Sequence, residues 1–270
     1  MSVLFTWERA RMSSMLAGCE TNELLPLVRT HCRPDTLVLE SGCGMGRWVK
    51  HLNERGVRAV GLEYVGETVT MVKEVWPELS IVQGDCAASP FGDASFDVVL
   101  SFGVVEHWIE GPEAPLHDVH RVLKRGGTAI VSVPCHNGVR RLKRALWWDE
   151  LVGGPRKLAA RVLRGRRRRL TRLDSRHRFA VYPTYGEFHE YRFTTRQFAG
   201  LVRQAGFDIV LHQPLGFLDG IYHELNPYGR VIEFEDSRFT PTRLALVLNS
   251  LMSRVPFLHT HMQVIVARKP

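Results

Sequence analysis

The stretch VLESGCGMGRW, residues 38–48, decides how the first half of the chain is interpreted. An apolar run ends in an acid at Glu40, and glycines then follow at every second position. Because glycine has no Cβ, a ligand can approach its main chain closely, and positive φ angles carry no strain. A strand, a glycine turn and a helix in this order predict a ligand-binding turn at the carboxyl edge of a sheet.

Strands and helices alternate along the rest of the chain. Short β-branched runs predict strands at residues 36–41, 57–64, 79–85, 96–104, 128–134, 207–213 and 262–269. Apolar residues at helical spacing predict helices at 47–56, 66–76, 115–127 and 194–206. This alternation implies right-handed crossovers, so we predict an α/β fold with a mostly parallel sheet covered on both faces.

Acids stand at the ends of three successive predicted strands. Glu40 precedes a G-x-G-x-G turn, whereas dinucleotide folds use G-x-G-x-x-G, and a carboxylate there would repel a diphosphate but suits an ammonium group. Glu63 ends the second strand, where a carboxylate can accept both hydroxyls of a ribose. Asp85 ends the third strand, where it can accept from an adenine amino group. Together the acids favour a ligand with an ammonium group, a ribose and an adenine.

Five motifs resemble those of the class I S-adenosylmethionine-dependent methyltransferases, close to the type 11 small-molecule group. They are VLESGCGMGRW, the acid motif VGLEYV, the adenine motif VQGDCAASPFGDASFDVV, the strand-four exit SFGVVEHW and the paired-glycine motif HRVLKRGGTAIVSVP. The resemblance covers about residues 36–134 and 192–210, and Ser41 departs from it where alanine or valine is more usual. It implies a Rossmann-like, seven-stranded, mostly parallel sheet with helices on both faces and lid insertions. It also implies S-adenosylmethionine as the cofactor and methyl transfer as the activity.

The same resemblance implies a set of cofactor-binding residues at the strand ends and in the turn: Glu40, Gly42, Gly44, Gly46, Glu63, Tyr64, Asp85, Cys86 and Ser101. In the family, the turn backbone lies against the methionine part, and Glu40 and the Ser101 carbonyl lie near the ammonium. By the same resemblance, Glu63 binds the ribose, and Tyr64, Asp85 and Cys86 contact the adenine.

A histidine after the fourth strand is the first candidate for a general base. His107 lies beside Glu106, which could orient it, although a structural role for both residues stays open. Further candidates stand where acceptor-binding loops are expected: His136, His189 and Tyr191. The sequence offers no aspartate and histidine cluster at metal-ligand spacing, so we predict no metal.

The positive charge of the chain is concentrated in one segment. Between Arg140 and Arg178 there are fifteen Lys or Arg and three Asp or Glu, a net charge of +12, so the rest of the +8 chain carries −4. Trp147 and Trp148 stand in this segment, followed by an apolar stripe of Leu158, Val162 and Leu163. Aromatic, apolar and arginine residues together favour contact with an anionic membrane. RNA is the alternative partner.

We therefore divide the chain into an N-terminal helical segment (1–35), a cofactor-binding α/β core (36–134), a basic lid (135–191) and a C-terminal part of the core (192–270) with a second insertion at about 214–261. Five scattered cysteines and the lack of an evident secretory signal or long apolar run favour a cytoplasmic protein, with peripheral membrane contact.

The predicted function is methyl transfer from S-adenosylmethionine to oxygen, less favourably nitrogen, of a small anionic or lipid-linked metabolite. One alternative is an RNA methyltransferase that uses the arginine-rich segment. A second is a non-catalytic, cofactor-binding interaction module. The sequence leaves the acceptor and the oligomeric state open.

Overall fold

The computed structural model describes residues 7–145, 178–181, 188–226, 229, 231–235 and 238–270. Within these ranges the strands are β1 (Leu37–Ser41), β2 (Arg58–Glu63), β3 (Ile81–Gln83), β4 (Phe96–Phe102), β5 (Leu123–Pro134), β6 (Arg178–Val181), β7 (Phe188–Arg192), β8 (Asp208–Leu215), β9 (Ile232–Glu235), β10 (Arg238–Pro241) and β11 (Met262–Arg268). Seven of them form one sheet in the order β3–β2–β1–β4–β5–β11–β8.

The pairing of these strands confirms the predicted fold class. β3, β2, β1, β4 and β5 pair in parallel, whereas β11 runs antiparallel between β5 and β8. The chain leaves β1 towards β2 and β3 on one side and later returns to add β4 on the other side. This reversal creates a crevice at the carboxyl ends of β1 and β4, where open α/β sheets bind ligands.

Helices cover both faces of the sheet. They are α1 (Met12–Ala17), α2 (Leu25–His31), α3 (Arg47–Asn53), α4 (Gly66–Val75), α5 (Glu113–Val122), α6 (Gly138–Ala145), α7 (Thr195–Gln204), α8 (Phe217–Leu225) and α9 (Arg243–Met252). α1 to α4 pack on one face, and α5 and α7 pack on the other. Successive residues of β4 point to opposite faces of the sheet. Val98 packs in the core beneath α1 to α4, and Val99 packs in the core beneath α5 and α7.

A local sequence signal sets the start of α7, whereas the end of α5 was predicted wrongly. Thr194 begins α7 with a capping box, in which its hydroxyl accepts the Gln197 N–H and its own N–H donates to the Gln197 side chain. The helix predicted at 115–127 instead ends at Val122, and β5 begins directly after it. β5 pairs with the start of β4, and the register shift between Phe96 and Val98 places Gly126 and Gly127 in a bulge of β5.

Two groups of elements leave the core at the carboxyl edge of the sheet. α6 follows β5, and α8, the β9–β10 hairpin and α9 lie between β8 and β11. Of the arginine-rich segment, the structure describes its start and its end, and Trp147, Trp148, Leu158, Val162 and Leu163 lie outside the described residues. Among the helices in the described ranges, none has the length and apolar character needed to cross a bilayer.

Candidate active site

The glycine turn is wedged between β2 and the chain that follows β4. The N–H groups of Gly42 and Cys43 both donate to the Leu62 carbonyl, at 2.9 and 2.8 Å. Gly42 has a φ of +78°, and a Cβ on it would lie 2.6 Å from both γ-carbons of Val104. Only glycine fits here, because any side chain would be strained and would also collide with Val104.

Glu63, at the end of β2, is held in place by main-chain donors. One carboxylate oxygen accepts the Gly44 N–H and the other accepts the Val65 N–H, both at 2.9 Å. A carboxylate has further lone pairs on each oxygen, so this group can still accept hydroxyl donors from a ligand. The geometry suits the two hydroxyls of a ribose.

Glu40, at the end of β1, is buried without full compensation. Its side chain is 4% exposed, and its Oε2 atom has no hydrogen-bond partner among the described residues. Burial raises the pKa of this carboxyl to about 8, although the nearby Arg47 and the Val49 main chain oppose the rise. A buried carboxylate of this kind calls for a cationic donor, so Glu40 fits the ammonium group of S-adenosylmethionine.

These groups line one cavity of about 240 Å³ at the carboxyl edge of the sheet. Seven of the predicted site residues reach it: Glu40, Gly42, Gly44, Glu63, Tyr64, Cys86 and His107. Residues that the sequence analysis missed also line it, among them Trp7, Met15, Arg47, Trp48 and Trp108. Trp7 closes over the turn, since its ring atoms lie 3.1–3.4 Å from the point where a Cβ on Gly44 would stand.

Three predicted cofactor residues lie beside the cavity and are not among its lining residues. Gly46 precedes α3 with a φ of +70° and shapes the turn. Asp85 accepts the Ala87 N–H at 2.8 Å and closes the loop that presents Cys86. Ser101 is buried within β4, directly before the lining residue Phe102.

His107 lies at the end of a short 3-10 helix (Val105–His107) after β4 and is 8% exposed. Its Nδ1 atom is 2.7 Å from the main-chain oxygen of His189. Because a carbonyl can only accept, Nδ1 carries the proton, and in the neutral imidazole the lone pair is on Nε2. Burial lowers the pKa of His107 below its ordinary value, so the neutral form prevails near neutral pH.

Glu106, which the sequence analysis named as a residue that could orient His107, makes no hydrogen bond to it. The nearest approach is 3.9 Å, between a Glu106 carboxyl oxygen and His107 Nε2, which is too long for a hydrogen bond. Burial raises the pKa of Glu106 well above its usual range. The main-chain carbonyl of His189, 82 residues away in the sequence, holds the imidazole instead.

The other predicted catalytic residues do not line the cavity. The His189 ring lies 5.5 Å from the His107 ring, centroid to centroid. His136 follows β5, and its N–H donates to the Phe193 carbonyl. Tyr191 is fully buried in the core, and its hydroxyl donates to the Ile109 carbonyl at 2.6 Å, so its catalytic role stays a prediction.

A cluster that the sequence analysis missed stands near the start of β11. The side chains of Asp219, His223 and His261 each place a potential ligand atom within 4.8 Å of the others. However, the two imidazoles stack at 4.1 Å and 18°, so they do not point at a common ion. The Arg140 guanidinium also donates to His261 Nδ1 at 2.9 Å, which places a positive charge where an ion would need a lone pair. The absence of a metal stays a prediction.

Comparisons with known proteins bear on the family of the chain. A family model described as a methyltransferase domain matches residues 39–131. A protein of Mycolicibacterium smegmatis, named as an S-adenosylmethionine-dependent methyltransferase, is 38% identical over 97 residues, 36% of this chain and 37% of that protein. The match thus spans little more than a third of that relative's length. An uncharacterized methyltransferase of Synechocystis is 31% identical over 157 residues, 56% of this chain and 71% of the relative.

The fold comparison extends over most of the chain. An S-adenosylmethionine-dependent methyltransferase of Methanosarcina mazei superposes with a TM-score of 0.57 at 16% identity, covering 90% of this chain and 97% of that one. Identity at this level shows a shared fold and no more. The domain match and the Synechocystis relative extend the likeness to the sequence. The chain therefore belongs to the class I S-adenosylmethionine-dependent methyltransferases.

Proposed function

We propose that this protein transfers a methyl group from S-adenosylmethionine to an oxygen atom of a small anionic or lipid-linked metabolite. Nitrogen is the less favoured acceptor atom. The observation that carries the proposal is the presence, in one cavity, of the incompletely paired Glu40 carboxyl and the neutral His107 imidazole. The Glu40 carboxyl can bind the ammonium group of the cofactor, and the His107 imidazole can accept a proton from the acceptor.

The cofactor supplies an electron-poor methyl carbon, and residues of the chain would position the ligands and accept the proton. Glu40 and Glu63 fix the two ends of the ligand, so most of the rate would come from positioning. His107 would take the acceptor's hydroxyl proton on Nε2 as the carbon–oxygen bond forms, contributing about 10²–10⁴-fold. The negative charge of Glu190 raises the pKa of His107, against the larger effect of burial, and would stabilise the imidazolium.

The acceptor class rests on relatives and on charge. A malonyl-[acyl-carrier protein] O-methyltransferase of Serratia marcescens is 27% identical over 120 residues, and a demethylmenaquinone methyltransferase of Renibacterium salmoninarum is 31% identical over 104 residues. The basic residues between Arg140 and Arg178 would bind the headgroups of an anionic membrane. RNA is the second candidate partner, because a mouse protein named as a tRNA methyltransferase is 31% identical over 134 residues.

The test supplies S-adenosylmethionine with an isotope-labelled methyl group together with a lipid extract, a polar metabolite extract and total RNA in separate reactions. We expect label in the lipid or metabolite product, and a ¹³C-methyl chemical shift typical of an O-methyl group. Label confined to RNA would establish the alternative. Cofactor binding without transfer to any of the three would support an interaction module. Glu63→Gln should abolish the label, while Glu67→Gln, an exposed acid nearby, should not.

A further inference from the structure

Large exposed apolar side chains cluster in one short segment. Of nine such side chains in the described part of the chain, five fall within residues 244–255 and are 50–57% exposed: Leu244, Leu246, Val247, Leu251 and Val255. Single exposed apolar residues are common on protein surfaces, but a contiguous group marks a binding surface. The first four belong to α9, and the fifth follows it.

α9 is apolar on both of its faces. On the inner face Ala245 is buried, and Leu248 and Met252 pack against the small core shared with α8 and β9. On the outer face, Leu244, Val247 and Leu251 recur at a spacing of three and four residues. A helix that only covered a core would carry polar residues on its outer face. We call the surface formed by Leu244, Val247 and Leu251 the α9 face.

Basic residues border the α9 face along the chain. From residue 238 to residue 262 the charged residues other than histidine are Arg238, Arg243 and Arg254, and Glu233 and Glu235 precede them in the β9–β10 hairpin. Arg243 begins the helix and Arg254 follows its end, so a basic side chain stands at each end of the face. Apolar residues bordered by arginine are typical of helices that lie in the interface of an anionic bilayer.

The arginine-rich segment begins next to the α9 face. The Gly138 N–H donates to the Phe257 carbonyl at 3.0 Å, and the Val139 N–H donates to the Leu258 carbonyl at 2.7 Å. These bonds join the start of α6 to the loop that follows α9. α6 then carries Arg141, which is exposed, and leads into the rest of the basic segment. Apolar surface and positive charge therefore stand side by side.

We propose that the α9 face inserts into the interfacial region of an anionic membrane while the adjoining basic residues bind lipid headgroups. A second copy of the chain is a poorer occupant, because pairing this face with itself would bring like charges together. The inference deepens the proposed function and rests on it only for the acceptor. α6, α8 and α9 leave the sheet at the edge that holds the cofactor cavity, so docking here would present a lipid-linked acceptor at that edge.

The first test is co-sedimentation with phosphatidylcholine vesicles, with and without phosphatidylserine. Leu244→Ser, Val247→Ser and Leu251→Ser together should weaken binding to the anionic vesicles by about tenfold or more, because three half-exposed aliphatic groups lose their apolar environment. Val210→Ser is the matched control, since Val210 is 66% exposed on the edge strand β8 and should leave binding unchanged. Both variants should keep the wild-type unfolding midpoint and affinity for S-adenosylhomocysteine.

The second test places a polarity-sensitive fluorophore on Leu251→Cys, with Val210→Cys as the control. All five native cysteines are buried, so the new thiol should be labelled selectively. Anionic vesicles should shift the emission of the label at 251 to the blue and leave the label at 210 unchanged.

Several outcomes would overturn the inference. In the first, the triple variant binds anionic vesicles as strongly as the wild type does. In the second, the emission of the label at position 251 does not shift. In the third, the wild type binds no vesicles but forms a dimer, and the triple variant does not form that dimer. If replacing Arg166–Arg169 with serine abolishes binding while the triple variant binds normally, charge alone holds the membrane and the α9 face does not. Normal S-adenosylhomocysteine affinity throughout would show that the cofactor assignment survives such a failure.

Discussion

Replacing Glu40 with glutamine should separate the stability of the fold from its affinity for the cofactor. Glu40 is 4% exposed, and burial raises the pKa of its carboxyl to about 8 from an ordinary value of 4.5. The protein without ligand therefore holds this group mainly as the neutral acid at pH 7. The ammonium of the cofactor prefers the carboxylate, so binding should release one proton from Glu40.

The size of the effect follows from the pKa. At pH 6 about one molecule in a hundred carries the carboxylate, and at pH 8 about half do, so affinity for S-adenosylhomocysteine should rise about 50-fold over this range. Glu40→Gln should remove this dependence. It should also weaken binding at pH 8 by about 1.5–3 kcal/mol, because it loses a hydrogen bond between charged groups.

The free energy of unfolding of the ligand-free protein should fall as the pH rises, whereas its affinity for the cofactor rises. A carboxyl whose folded pKa is raised contributes full stability below its unfolded pKa of 4.5 and loses it as the pH rises through about 8. The loss approaches about 5 kcal/mol at the alkaline end, since each pKa unit corresponds to about 1.4 kcal/mol. Glu40→Gln lacks this loss, so without ligand the variant should be more stable than the wild type at pH 8.

Calorimetry with S-adenosylhomocysteine in two buffers of different ionisation enthalpy would count the released protons. Urea unfolding between pH 6 and pH 8 would measure the stability difference. A wild-type affinity that does not change over this pH range would refute the reasoning, as would the same pH dependence in Glu40→Gln.

Three further predictions concern the cavity and its support. His107→Ala should lower turnover about 10²-fold or more while the calorimetric affinity for S-adenosylhomocysteine changes little, and equal turnover would assign the residue a structural role. Gly42→Ala should abolish cofactor binding and cost about 1–3 kcal/mol of stability, because its Cβ would lie 2.6 Å from Val104, whereas Gly18→Ala, with open space around it, should do neither. Tyr191→Phe should cost about 0.5–1.5 kcal/mol in urea unfolding and leave turnover intact, and a large loss of turnover would instead support the catalytic role predicted from the sequence.

The sheet and the cofactor side of the cavity could be predicted because their signals are local. Each acid stands at the end of its own strand, and parallel strands bring their carboxyl ends to one edge. Glu40, Glu63 and the glycine turn therefore meet without any knowledge of distant contacts. The capping box at Thr194 is similarly local, since its donors and acceptors lie within four residues.

Other features could not be predicted because residues that are distant in the sequence build them. Trp7 reaches the glycine turn from the N-terminal segment, and no periodicity in the sequence marks that approach. The carbonyl that holds His107 comes from residue 189, so the adjacent Glu106 was a misleading candidate. Asp219 and His223 do stand at helical spacing, but their neighbour His261 joins them only through the return of the chain into β11.

Three buried glutamates differ in how far the fold itself satisfies their carboxyl oxygens. Glu224 lies between Arg140 and Lys143, and although burial alone would raise its pKa, the two cations hold it below the ordinary value. Each oxygen of Glu63 accepts one main-chain N–H group, so the fold holds this side chain in place and leaves it further lone pairs for a ligand. Glu40 is different, because an oxygen without a partner among the described residues lies in the wall of the cavity.

An acid left in this state destabilises the protein without its ligand, and the glutamine variant should show by how much. A ligand that supplies the missing positive charge binds the folded state alone, so part of its binding free energy becomes stability of the fold. Cofactor binding and folding are therefore coupled through Glu40. This coupling explains why a carboxylate, rather than a neutral amide of the same shape, suits the position before the glycine turn.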